Sequence, residues 1–153
     1  MADLTAGQIP KYANTINGGG VAVIAASANT VAIGVNTNGL DVYTAASTGG
    51  RVYSLTAVTD DTVTVNVFVW ILRGATVIPI GLVNVPLSSG NTFAARYNVN
   101  FLDGVNIVGL PVDNQGNRYI PLKGSDVLRV GALANLTAAK SCWVRGDGSD
   151  YGA

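Results

Sequence analysis

Hydrophobic and polar positions alternate with a period of two along much of this chain, and no stretch longer than a turn or two repeats at the helical period of 3.6. The pattern is densest from Arg51 to Leu87, RVYSLTAVTDDTVTVNVFVWILRGATVIPIGLVNVPL, where three apolar, β-branched runs are separated by Asp60-Asp61 and by Arg73-Gly74. Such punctuation predicts consecutive antiparallel strands, a meander. In the middle run the odd positions Val63, Val65, Val67, Val69 and Ile71 are all aliphatic and predict a core face. The even positions begin polar (Thr62, Thr64, Asn66) and become Phe68, Trp70 and Leu72, so the second half of this strand needs cover on both faces. A second sheet or a loop of the same domain satisfies that need; so does a neighbouring subunit. In the third run the apolar phase is even through Ile78, Ile80 and Leu82, then odd from Val83, and the shift beside Gly81 predicts a bulge or bend. Pro79 and Pro86 lack amide donors and place this run at a sheet edge.

The remainder of the chain fits around that block. Residues 1–20 have weak periodicity and end in Gly18-Gly19-Gly20, which predicts an extended N-terminal arm on a flexible joint, with residues 21–153 forming one domain. Two short strands are expected between Val21 and Val35, a turn at Asn36-Thr37-Asn38-Gly39, and a strand from Asp41 to Ala46. Thr92 to Phe101 alternates cleanly and predicts a half-buried strand. Asp113-Asn114-Gln115-Gly116-Asn117 is turn chemistry; its oxygens suit calcium, but the EF-hand spacing and terminal Glu are missing. Val127 to Leu133 and Thr137 to Arg145 predict the last strands, and the polar segment from Gly146 a loose exit. Roughly eight to ten strands without helix predict an all-β fold, a two-sheet antiparallel sandwich, with the jelly roll first. The immunoglobulin-like sandwich comes second, since its Cys-Trp-Cys core is absent.

Composition narrows the chemistry. A chain of 153 residues builds a core without disulfides or metal. Charged residues make up 12% of it, against roughly 25% in typical domains, and nine basic residues cancel nine acidic ones. With no basic surplus, nucleic acid is not an expected partner. So few charges on a folded monomer also predict that much of the surface is covered by other protein. The sequence contains neither His nor Glu, which excludes Ser-His-Asp and Cys-His nucleophilic systems and histidine metal sites. Paired aspartates remain formal acid/base candidates at Asp60-Asp61 and at Asp147 with Asp150, although Asp60-Asp61 sits where a turn wants aspartate. Cys142 lies in a strand-like segment and reads as a buried, inert thiol. No catalytic residues, cofactor or metal are therefore expected. The first apolar run, Val21 to Ala26, is too short for a leader and lacks a basic flank, and nothing approaches the ~18 apolar residues of a membrane helix; the expectation is a product made in the cytoplasm, with no membrane partner. Arg145-Gly146-Asp147 spells an adhesion tripeptide, read here as chance in a glycine-rich loop, and Asn135-Leu136-Thr137 a glycosylation sequon expected to stay unmodified.

The succession RVYSLTAVTDDTVTVNVFVW, a Pro-containing apolar strand, GLPVDNQGNRYIPL, a sheet run at TAAKSCWV and a short Gly-Asp-aromatic tail resembles the capsid decoration, or cement, proteins of tailed bacteriophages. The likeness covers roughly residues 50–153 and rests on strands and turns, with no catalytic signature to carry over. It implies a structural protein, not an enzyme, made in the host cytoplasm. Such a protein sits on the virion as a homotrimer bound to the major capsid protein at the outer surface of the head. The interface candidates are Ile9 and Tyr12 on the arm, Phe68 and Trp70 on the doubly apolar strand, and Ile78 and Ile80 on the edge run. The alternative is a receptor-binding or tail-fibre β-sandwich module, for which Asn36-Thr37-Asn38 and Asp113 to Asn117 are the segments suited to glycan contact. A small-ligand or enzymatic β domain is third.

Overall fold

The computed structural model describes residues 13–25, 28–89 and 98–152, with side chains from residue 20 onward. Nine strands succeed one another: β1 (Ala13–Ala25), β2 (Leu40–Thr44), β3 (Gly50–Thr59), β4 (Val65–Arg73), β5 (Thr76–Val85), β6 (Val99–Asn100), β7 (Ile120–Leu122), β8 (Val127–Ala132) and β9 (Ser141–Tyr151). One sheet has the order β1-β9-β3-β6, with β7 also on β3, and the other has the order β2-β8-β4-β5. All pairings are antiparallel. The pairs β1·β9, β2·β8, β3·β7/β6 and β4·β5 nest inside one another as a single long hairpin. The contacts β9·β3 and β8·β4 roll that hairpin up into two packed sheets. This is the jelly roll.

The hairpin tip is the two-residue turn between Arg73 and Thr76, where Gly74 takes φ 59°. Between the sheets, Val65, Val67, Val69 and Ile71 of β4 meet Val52, Leu55 and Ala57 of β3 and Ile24, Cys142 and Val144 of the neighbouring strands in one apolar core. The edge run behaves as its prolines require: β5 ends its sheet among the described residues, and its register slips by one residue between Val69/Gly81 and Trp70/Pro79.

The fold departs from the sequence reading in several places. The three runs are not a meander, because β3 lies in one sheet and β4–β5 in the other, so residues 60–64 cross the sandwich. Val63 stays exposed before the strand, its amide donating to Asp61 Oδ1 in the turn. β1 begins at Ala13 and takes in residues 13–20 of the segment read as an arm. Gly20 is a point of close approach: a Cβ there would lie 2.4 Å from the Val42 carbonyl oxygen. The polar segment from Gly146 is no loose exit. β9 runs through it between β1 and β3, with Ser149 and Asp150 buried. Arg145-Gly146-Asp147 thus lies within a central strand, and Arg145 Nε pairs with Asp147 Oδ2 at 3.1 Å.

Between Ala25 and β2 only a turn and a single bridge appear where a second strand was expected, Thr30 pairing with Ala132. Most of the alternating run from Thr92 falls outside the described residues; its end is the short β6, leading into buried Phe101. Among the described residues no helix is long and apolar enough to cross a membrane.

Candidate functional site

Phe68 and Trp70 are covered by residues of their own chain. Their rings stack at 5.0 Å between centroids, and both are buried with Val31, Val77 and Leu133. The connection between β1 and β2 forms the cover, so the apolar outer half of β4 is shielded from within the chain. Asn36 Oδ1 accepts from Trp70 Nε1 at 3.2 Å and from Arg129 Nη1 at 2.5 Å; Arg129 Nη2 donates to the Gly39 carbonyl and Nε to Asp41 Oδ1, each at 2.6 Å. The Asn36 side-chain oxygen therefore helps to close the flap. Ile78 and Ile80 are half-buried against the main core, and Ile9 and Tyr12 lie outside the described residues.

The formal acid/base candidates are absorbed by the scaffold. Asp61 is buried and accepts from Thr137 N at 2.9 Å, Thr137 Oγ1 at 2.6 Å and Val63 N. Asp60 accepts from Ser141 N at 2.8 Å and lies 3.8 Å from Lys140 Nζ. Asp150 accepts from the Tyr43 hydroxyl at 2.9 Å and from Ala46 N. No group of three metal-ligating side chains gathers among the described residues. Burial pushes the Cys142 thiol up to about 12, with the Asp60 and Asp61 carboxylates adding to the rise. The native protein should therefore resist thiol-specific alkylation at pH 8 and react fully once denatured; rapid native labelling would show that the β9 core opens.

Among the described residues two surface regions stand out, both on the outward face of the β1-β9-β3 sheet. At one end Val23, Trp143 and Val58 stand in register across the three strands, and Val21, Arg145 and Thr56 form the row two residues along. Val21, Val23 and Trp143 are 58%, 43% and 38% exposed, an apolar strip that no described residue covers. The Arg145–Asp147 ion pair sits beside it. The sequence carried this signal as alternation through Val21-Ala22-Val23-Ile24 and Ser141-Cys142-Trp143-Val144, where the outward phase holds Val21, Val23 and Trp143.

At the other end β3 carries a bulge. Its register against β9 jumps between Val52/Gly148 and Ser54/Asp147, and the inward phase changes from Gly50 and Val52 to Leu55 and Ala57, so Tyr53 and Ser54 both point outward. The edge strand beside it is split: β7 pairs with Gly50 to Val52 and β6 with Thr56 and Ala57, and the chain between them, residues 101–119, leaves the sheet. That excursion returns through a tight turn in which Asp113 Oδ1 accepts from the amides of Gln115 and Asn117, both at 2.9 Å. Bulge and excursion enclose a polar cleft lined by Arg51, Tyr53, Asp113, Asn117, Arg118 and Tyr119, of about 340 Å³. A second hollow of about 380 Å³, reaching Asn100 and Asp103, shares Tyr53, Asn117 and Arg118 with it. Of the segments proposed for glycan contact, Asp113 to Asn117 reaches this cleft and Asn36 to Asn38 does not.

Comparison with known proteins gives no match: no protein-family model, no curated protein and no solved structure aligns significantly with this chain.

Proposed function

We propose that this chain is a non-catalytic structural virion protein of the capsid-decoration type, docking on the outer shell of a tailed-phage head through the outward face of β1, β9 and β3. The apolar strip Val21, Val23, Trp143 and Val58 carries the reading. An exposed tryptophan in an apolar row, beside an Arg–Asp ion pair on a chain of zero net charge, suits a protein surface of low charge and offers little to a polyphosphate or an anionic membrane. The major capsid protein, repeated over a shell, is the partner of that chemistry proposed here. Self-association as a homotrimer, part of the same proposal, would use the open edges β1 and β5 in place of Phe68 and Trp70.

Co-sedimentation with undecorated heads tests it. Buried aromatic anchors typically contribute about 2 kcal/mol or more, so Trp143→Asp should weaken head binding about 30-fold while leaving the melting temperature nearly unchanged. Binding of the intact chain should persist at moderate salt. Wild-type affinity in Trp143→Asp would remove this face from the mechanism. Labelling of intact particles only at the tail tip would instead favour the receptor-binding module, for which the polar cleft is the supporting feature.

A further inference from the structure

We infer that the cleft between the β3 bulge and the 101–119 excursion is a binding site for an acidic saccharide, a sugar bearing a carboxylate. Five arginines have described side chains. Arg73, Arg129 and Arg145 are each ion-paired, to Asp126, Asp41 and Asp147. The remaining two, Arg51 and Arg118, have no carboxylate within ion-pairing distance among the described residues, and both line this one cleft. Arg51 Nε is buried without a hydrogen-bond partner among the described residues, an uncommon state for a charged donor. Its guanidinium stands 5.9 Å from the centroid of the Tyr119 ring. Arg118 lies flat over Gly104, where an added Cβ would come within 2.5 Å of Nη2, so the absence of a side chain at 104 makes room for the guanidinium.

Two carboxylates lie nearby; Asp113 feels the charge of Arg51 without coming within ion-pairing distance, and both carboxylates hold backbone amides. Asp113 accepts from Gln115 and Asn117, and Asp103 Oδ1 accepts from Val105 N at 3.0 Å. Two planar forks are thus left for an anionic group, and bidentate pairing with a carboxylate is what guanidinium geometry favours. The rest of the lining selects the body of the ligand. Tyr53, 42% exposed, offers a ring face for the C–H side of a pyranose, and the Asn100, Gln115 and Asn117 amides offer donors and acceptors for vicinal hydroxyls. An apolar ligand would find little here. The volumes fall within the roughly 300–1,000 Å³ of small-ligand sites, and the two hollows share Tyr53, Asn117 and Arg118 in their linings.

Titration calorimetry with amide NMR mapping on the intact protein tests the inference, with trigalacturonate and 3′-sialyllactose as acidic probes, lactose as the neutral probe and inorganic phosphate as the bare anion. At least one acidic probe should bind about tenfold more tightly than lactose, with shifts centred on Tyr53, Asn117, Arg118 and Tyr119. Arg118→Ala, at an exposed position, should weaken that binding about tenfold without moving the melting temperature. Equal binding of lactose would overturn the acidic specificity, and equal binding of phosphate would reduce the cleft to a simple anion site. Absence of binding by both acidic probes in the millimolar range, or shifts located elsewhere, would overturn the site itself.

Discussion

Trp70→Ala should lower stability by about 3–5 kcal/mol and the melting temperature by roughly 10–15 °C. Trp70 is fully buried, yet it lies outside the main core, on the outer face of β4 beneath the residue 30–39 connection. Removing the indole deletes its stacking on Phe68 and its hydrogen bond to Asn36, and leaves Arg129 bridging a flap with nothing beneath it. Gly39 adds to the fit, since a Cβ there would fall 2.3 Å from the indole ring. Trp70→Phe, which keeps an aromatic ring and loses only the Nε1 donor, should cost much less. Calorimetry of both variants distinguishes a packed flap from an ornamental one: a Trp70→Ala protein that melts with the wild type would mean that the flap contributes no stability.

The fate of that strand illustrates what local pattern specifies. Alternation from Val65 to Ile71, with Phe68 and Trp70 on the second face, is sufficient to demand two-sided cover, and the phase shift at Gly81 with Pro79 is sufficient to place a bulged edge. Neither states which sheet a strand joins. Asp60-Asp61 reads as a turn between paired strands because turn residues look alike whether a chain reverses within a sheet or crosses to the other; the anchors that decide the crossing, Thr137 and Ser141, are some eighty positions away. The stretch from Gly146 reads as a loose exit for a different reason. Glycine weakens a strand when nothing presses on it, but Gly148 faces the Tyr43 ring, 2.5 Å from where a Cβ would stand, and Gly146 faces Val42. The cleft is half legible. The Asp113–Asn117 turn is visible in sequence, whereas its joining to Arg51 and Tyr53 depends on the β3 bulge and on the long-range pairing of β7 with β3.

Stability should stay level from about pH 8 down to about pH 5 and fall steeply below about pH 4. With no His and no Glu, the side chains that titrate on the acid side are all aspartates. Burial raises the Asp61 carboxyl, but the Thr137 hydroxyl and the amides of Thr137, Val63 and Thr62 outweigh it and hold the group below its ordinary 3.8. Asp126 is held low first by the paired Arg73 guanidinium, with burial opposing and the Lys123 amide assisting; Arg73 Nε and Nη2 reach its two oxygens at 2.9 and 2.7 Å. A carboxyl whose pKa is lower in the folded than in the unfolded chain stabilises the fold above the unfolded value. That contribution is lost as pH falls through the unfolded value toward the folded one, which places the loss below about pH 4. Asp61→Asn should lower the neutral plateau by about 1–3 kcal/mol, or about 2–4 °C for each kcal/mol, because an amide cannot accept on both sides from Thr137 and Val63. It should also flatten the acid limb, since the protonation that unfastens the 60–64 crossing has already been imitated. Thermal melts of wild type and Asp61→Asn across this range check both halves: a decline beginning near pH 6, or an unchanged acid limb in Asp61→Asn, would remove Asp61 as the acid-sensitive clasp between the sheets.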